Sequence, residues 1–84
     1  MKILRKANGE VTMTLIGRLV ADNLGELSAA LAAESGGRRV VLDLKDVVLV
    51  DRETVRFLRD REREGVALRN CPLYIRNWIA REQD

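Results

Sequence analysis

The chain has 84 residues, enough for one small hydrophobic core and no second unit, so a single domain over residues 1–84 is expected. It contains no histidine and one cysteine, Cys71, which excludes Ser/His/Asp triads, Cys/His dyads, imidazole bases, most mixed zinc sites and an internal disulfide. The net charge of +2 is spread out, with six bases and four acids in residues 1–42 and nine of each in residues 43–84; interleaved runs such as RDRERE read as a solvated helix face, so no nucleic-acid partner is expected.

The dipeptide Asn8-Gly9 tolerates positive φ at both centres of a tight turn and lies between Ile3-Leu4 and EVTMTLIG, which predicts an opening hairpin. Val11, Met13 and Leu15 alternate with Thr12, Thr14 and Ile16, placing one face of the second strand on a core, and Gly17 ends it. Asn23 with Glu26 resembles a capping box, and Leu24, Leu27 and Leu31 then recur at helical spacing, so a helix is predicted over Asn23–Glu34, before Gly36-Gly37.

The run VVLDL at residues 40–44 has the continuous apolarity of a central strand covered on both faces. KDVVLV leads from it to Asp51, which can cap a second helix with Val55, Leu58 and Phe57 inward and Arg56, Arg59, Asp60, Arg63 and Glu64 in water; Gly65 closes it. VALR is a short strand. Asn70-Cys71-Pro72 opens a third helix with proline in its first turn and an inner stripe of Tyr74, Ile75, Trp78 and Ile79. The expected fold is α/β, a mixed four-stranded sheet with helices in the order β-β-α-β-α-β-α, its later strands parallel.

No apolar run approaches the ~20 residues of a membrane span, and MKILRKANGE lacks the apolar centre of a signal peptide. A soluble cytoplasmic protein without direct membrane insertion is therefore expected. Candidates for chemistry are few. Cys71 reads as a small residue at a helix boundary, Ser28 and Ser35 have no activating base, and Asp43, Asp46 and Asp51 read as strand, turn and cap residues rather than metal ligands. Gly36-Gly37 lacks the lysine and hydroxyl of a phosphate loop. Tyr74 and Trp78 read as core, Trp78 becoming a natural contact residue should it reach the surface. No catalytic residue, cofactor or metal is expected.

The path from GRLVADNLGEL through RRVVLDLKDVVLVDRETVRFL to VALRNCPLYIRNWI resembles the STAS domain, the fold of bacterial anti-sigma factor antagonists and of sulfate-transporter tails. The likeness rests on Gly17, Leu19, Asn23 and Leu27, on VVLDL followed by a hydrophobic turn into an aspartate, and on Pro72 after the fourth strand. In the antagonists that aspartate precedes two small residues and a glycine, and the second small residue is the serine or threonine that a partner kinase phosphorylates. Asp51-Arg52-Glu53-Thr54 departs from this pattern: Glu53 holds the acceptor position and Thr54 that of the glycine. Val20 stands where many antagonists have an aspartate, and the last strand and helix of longer members are not expected here.

Two readings of Glu53 stay open. A carboxylate in the first turn of a helix is favoured by ~0.3–1 kcal/mol, which makes Glu53 an ordinary helix-start residue. Alternatively it is a fixed negative charge where phosphoserine would carry ≈ −1.5 to −2. Thr54 is not expected to replace the acceptor, because one residue along a helix turns it by roughly 100°. The resemblance implies a non-catalytic regulatory module whose protein partner, an anti-sigma factor or related signalling protein, docks on Asp51, Arg52, Glu53, Thr54, Arg56 and Asn23. The alternative is an accessory STAS subunit of a lipid-transporting ABC complex. Self-association into a homodimer through the opening strand is left open.

Overall fold

The computed structural model describes residues 1–34 and 36–82. The chain opens with β1 (Lys2–Asn8) and β2 (Glu10–Leu19), paired antiparallel with Ala7 opposite Val11 and Asn8 opposite Glu10. The connection differs from the expected turn: Gly9 adopts φ +83° and Asn8 stays outside the positive-φ region, so the glycine alone reverses the chain. Along β2 the alternation holds, with Val11, Met13 and Leu15 buried and the threonines between them half-buried.

Gly17 does not end β2. It adopts φ +99° at a register shift against the next strand, and β2 runs on to Leu19. Glycine inside a strand commonly marks such a bulge, because the irregular backbone excludes a side chain there. A single 3-10 turn, Ala21–Asn23, leads into α1 (Leu24–Ala32), which is shorter at both ends than the expected Asn23–Glu34. Asn23 does not cap α1 either: its Oδ1 accepts from the Val20 amide at 3.0 Å, closing the turn before the helix.

β3 (Val40–Val50) is more than twice the length of the expected strand and takes in KDVVLV as well as VVLDL. Two register shifts against β2 explain this. Between Thr14 and Ile16, and again between Gly17 and Arg18, β3 inserts an extra residue. Each insertion re-aims the strand, so that Leu42, Leu44, Val47 and Val50 all enter the core although their spacing departs from two.

α2 (Arg52–Arg63) follows, then β4 (Ala67–Arg69) and α3 (Leu73–Arg81), giving the sheet order β1-β2-β3-β4 with the last two pairings parallel. The α/β class, the mixed four-stranded sheet and the element order are those expected. Pro72 stands one position before α3, as its N-cap, and its carbonyl accepts from the Ile75 and Arg76 amides at 3.0 Å. Ile75 and Ile79 are buried and Trp78 is half-buried, but Tyr74 lies 49% exposed, outside the inner stripe where it was expected.

Leu27 of α1, Val55 and Leu58 of α2 and Ile75 and Ile79 of α3 join one cluster with the inner residues of β2 and β3, so the helices cover a single face of the sheet. This corrects the expectation that β3 is covered on both faces. On the far face, Val41 and Asp43 are nonetheless only 0% and 6% exposed. Arg69 on β4 reaches across β3 to Glu10 on β2 (Nη2 to Oε1, 2.7 Å), while Asn70 Nδ2 donates to both oxygens of Asp43 at 3.3 Å.

Leu42 lies on the central strand, fully buried under the helices. Truncation by Leu42→Ala is expected to lower unfolding free energy by about 2–5 kcal/mol, read in urea titration as a lower midpoint at unchanged slope.

Candidate functional site

The parallel strands β2 and β3 end side by side, Leu19 opposite Val50, which sets the 3-10 turn beside the start of α2. Asp51 joins the two. Its extended backbone (φ −114°, ψ 176°) places it as the N-cap of α2, where Oδ1 accepts from the Thr54 amide at 2.9 Å. Oδ2 accepts from the Ala21 amide, also at 2.9 Å. One carboxylate therefore satisfies a free donor at a helix start and pins the loop that follows β2.

Burial of this carboxyl opposes its ionisation, but hydrogen bonding from Thr54 and Ala21 outweighs that cost and holds Asp51 below its ordinary range. The Thr54 hydroxyl is buried and outside hydrogen-bond geometry with any described residue, yet close enough to Asp51 to favour the charged form. Thr54 was expected on the contact surface; it is 0% exposed, because its helical position shares the inner face with Val55 and Leu58. It cannot touch a partner without unfolding the first turn.

Arg52, Glu53 and Arg56 form the exposed remainder of this helix start. Glu53 makes no side-chain hydrogen bond or ion pair among the described residues and lies at the electropositive end of α2. The arginines are differently placed. Arg52 Nε donates to Glu82 Oε1 at 2.7 Å, Arg56 Nε to the same oxygen at 3.2 Å, and Arg59 Nη1 to the Glu82 carbonyl at 2.7 Å. These contacts, the Arg52 hydrogen bond foremost, hold the Glu82 carboxyl below its ordinary range. Arg52 and Arg56 keep 66% and 51% of their side chains exposed while Glu82 keeps 13%, so the arginines fold over the acid and still present their outer edges.

Glu82 is the residue that reading the sequence missed. Its signal was the spacing Arg52, Arg56, Arg59, which lines three cations along one side of α2 and calls for an acid on the neighbouring helix. Arg76 and Glu62, 2.8 Å apart, join the same two helices near their other ends. Asn23 stays beside the site through the Ala21–Asp51 bond, its side-chain oxygen already engaged with Val20.

Other chemistry-bearing residues lie elsewhere. Cys71 is half-buried, its Sγ 3.7 Å from the Pro72 carbonyl, and burial pushes the thiol above its ordinary value and away from a reactive thiolate. Ser28 is exposed on α1, and Ser35 falls outside the described residues. Among the described residues no three His, Cys, Asp or Glu side chains gather so as to hold a metal ion, and no helix is long and apolar enough to cross a membrane. Three shallow clefts of about 180, 330 and 380 Å³ lie away from Asp51, Arg52, Glu53 and Arg56. The start of α2 carries its charge in the open, with Arg52, Glu53 and Arg56 all exposed. No protein-family model matches the chain, and no curated protein matches it.

Asp51→Ala removes the cap of α2 and leaves the Ala21 amide without its acceptor; a loss of about 1–3 kcal/mol is expected in chemical denaturation. Because the folded carboxyl binds its proton less readily than the unfolded one, Asp51's ionisation contributes fully above its ordinary value of 3.8 and is lost as pH falls through the depressed folded value. The stability gap between wild type and Asp51→Ala should therefore be widest near neutrality and narrow across the acid range.

Proposed function

We propose that this protein is a non-catalytic, STAS-like interaction module that docks a protein partner through the start of α2. The observation that carries the reading is the state of Glu53: an exposed carboxylate, unpaired among the described residues, on a helix turn that Asp51 holds rigid. Binding at such a point loses little conformational entropy, because the backbone under the charge is already fixed. The path of the chain supports the likeness to anti-sigma factor antagonists, in which the position of Glu53 is that of the phosphorylated residue. A permanent carboxylate there keeps one negative charge on the surface without a kinase. Its partner would be an anti-sigma factor or related signalling protein bearing a basic contact, with Arg52 and Arg56 beside Glu53 setting specificity.

The reading calls for neither cofactor nor reaction. It places the protein in the cytoplasm, where such partners reside. The test is capture from native lysate with wild type, Glu53→Lys and Glu64→Lys at the opposite end of α2. Wild type and Glu64→Lys should retain the same specific signalling partner, with Glu53→Lys losing it at unchanged thermal stability to within about 1 kcal/mol. Retention of every specific partner by Glu53→Lys would remove this surface from consideration; capture of an ATPase and a permease would assign the module to a transport complex instead.

A further inference from the structure

A second surface, independent of α2, is the free edge of β1. Six of the seven β1 residues are exposed and only Ile3 is half-buried. Every pairing of this strand goes to β2, and no described residue makes a backbone hydrogen bond to its other side. An edge of this length is a template for a further strand.

The charge on this edge is one-sided. Lys2 and Lys6 have no anionic partner among the described residues, while Arg5 holds Glu34 through two hydrogen bonds of 2.9 Å. Arg38 shares a cleft with Arg5 and Glu34, while Lys6 lines a second cleft whose acids, Glu10 and Asp43, already bond to Arg69 and Asn70. The pairing of Leu4 with Thr14 places Leu4, 46% exposed, on the helix-free face between Lys2 and Lys6. Side chains two apart share a face, so an incoming strand meets cation, apolar, cation in that order on one side.

We propose that β1 accepts an extended segment of a protein partner as a fifth strand, the segment carrying acidic, apolar and acidic residues at alternate positions. A second copy of β1 fits poorly. The antiparallel registers about a two-fold perpendicular to the sheet that overlap five or more β1 residues set Lys2 against Lys6 when centred on Leu4, Arg5 against itself when centred there, and Lys6 against itself one residue on. Like charges directly opposite one another oppose pairing. Nucleic acid fits less well than an acidic strand, because Phe57, Tyr74 and Trp78 all lie on α2 and α3, leaving no aromatic side chain on β1 to stack a base.

The test is a titration of the whole isotope-labelled protein with the blocked peptide TETVTET, followed at the backbone amides by NMR. Shifts along Lys2–Asn8 with slowed amide exchange there are expected, together with affinity weakened about tenfold by the paired substitutions Lys2→Glu and Lys6→Glu. The peptide TKTVTKT and an N-methylated TETVTET should leave these amides undisturbed. Both lysines are exposed, so the substituted protein should keep its fold, checked by its own amide spectrum. Undisturbed β1 amides at millimolar TETVTET, equal binding of the N-methylated peptide, or unchanged affinity in the substituted protein would overturn the proposal. A mixed-sequence DNA duplex that shifts the same amides at lower concentration, or a dimer of the free protein that protects them, would overturn it equally. Glu53 takes no part in this experiment, so its outcome is separate from that of the α2 surface.

Discussion

The structure depends on one constraint: β3 must keep Leu42, Leu44, Val47 and Val50 on the same face over its whole length, because α1, α2 and α3 bury their apolar sides on the face it shares with β2. A regular strand cannot do this with that spacing, since side chains alternate strictly. The two insertions against β2 break the alternation where Lys45-Asp46 and Val48-Leu49 interrupt it and return the next valine to the core each time. They also have a consequence at the end of the strand. After the second insertion Leu19 and Val50 are level, and with those strand ends level Asp51 reaches the Ala21 amide. The packing of the core and the geometry of the candidate site are thus set by the same irregularities.

That dependence explains what could be read from the residues and what could not. Where the hydrophobic period is regular, as over Val11–Leu15 or around Val55 and Leu58, burial follows it. KDVVLV carries four consecutive apolar residues, of which only Val47 and Val50 are buried, and that selection follows from the pairing to β2 rather than from any period in the residues. Gly17 and Asn23 carry local signals with two meanings each. Glycine ends strands or allows bulges, and an asparagine side chain caps the helix ahead or closes the turn behind; the neighbour in space decides. Asp51 was legible as a cap because capping is local, whereas its second bond, to a residue thirty positions earlier, was not. Thr54 was placed on the surface by the family resemblance, and the helical turn carries it inward.

The charges sort by the same distinction. Arg52, Arg56 and Arg59 converge on Glu82, Arg76 meets Glu62, and Arg69 meets Glu10, so most of the basic residues near the helices and β4 are engaged within the molecule. Exposed pairs of this kind contribute little stability individually, ~0–1 kcal/mol, but they set what the surface shows. With its arginines partly neutralised, the start of α2 presents Glu53, whereas β1 presents Lys2 and Lys6. The modest net charge of the chain therefore conceals two unlike patches, an unpaired acid among arginines at the start of α2 and unpaired lysines on β1.

Two such patches have different physical characters, and this bears on how each proposed contact would form. Glu53 sits on a turn closed by Asp51, so an interaction there is a rigid contact between side chains whose strength depends on charge and fit. On β1 the proposed contact would include the backbone itself, whose free amides and carbonyls suit many sequences, with the lysines and Leu4 narrowing that tolerance to acidic and apolar alternation. Under the proposed reading the two surfaces would act together, the shallow clefts lined by Arg5 and by Lys6 lying on the two faces of β1 and none of the three described clefts touching Glu53. Separate elements carry the two surfaces here, and both elements join β2 or its neighbour β3, which hold the spacing between the two patches constant.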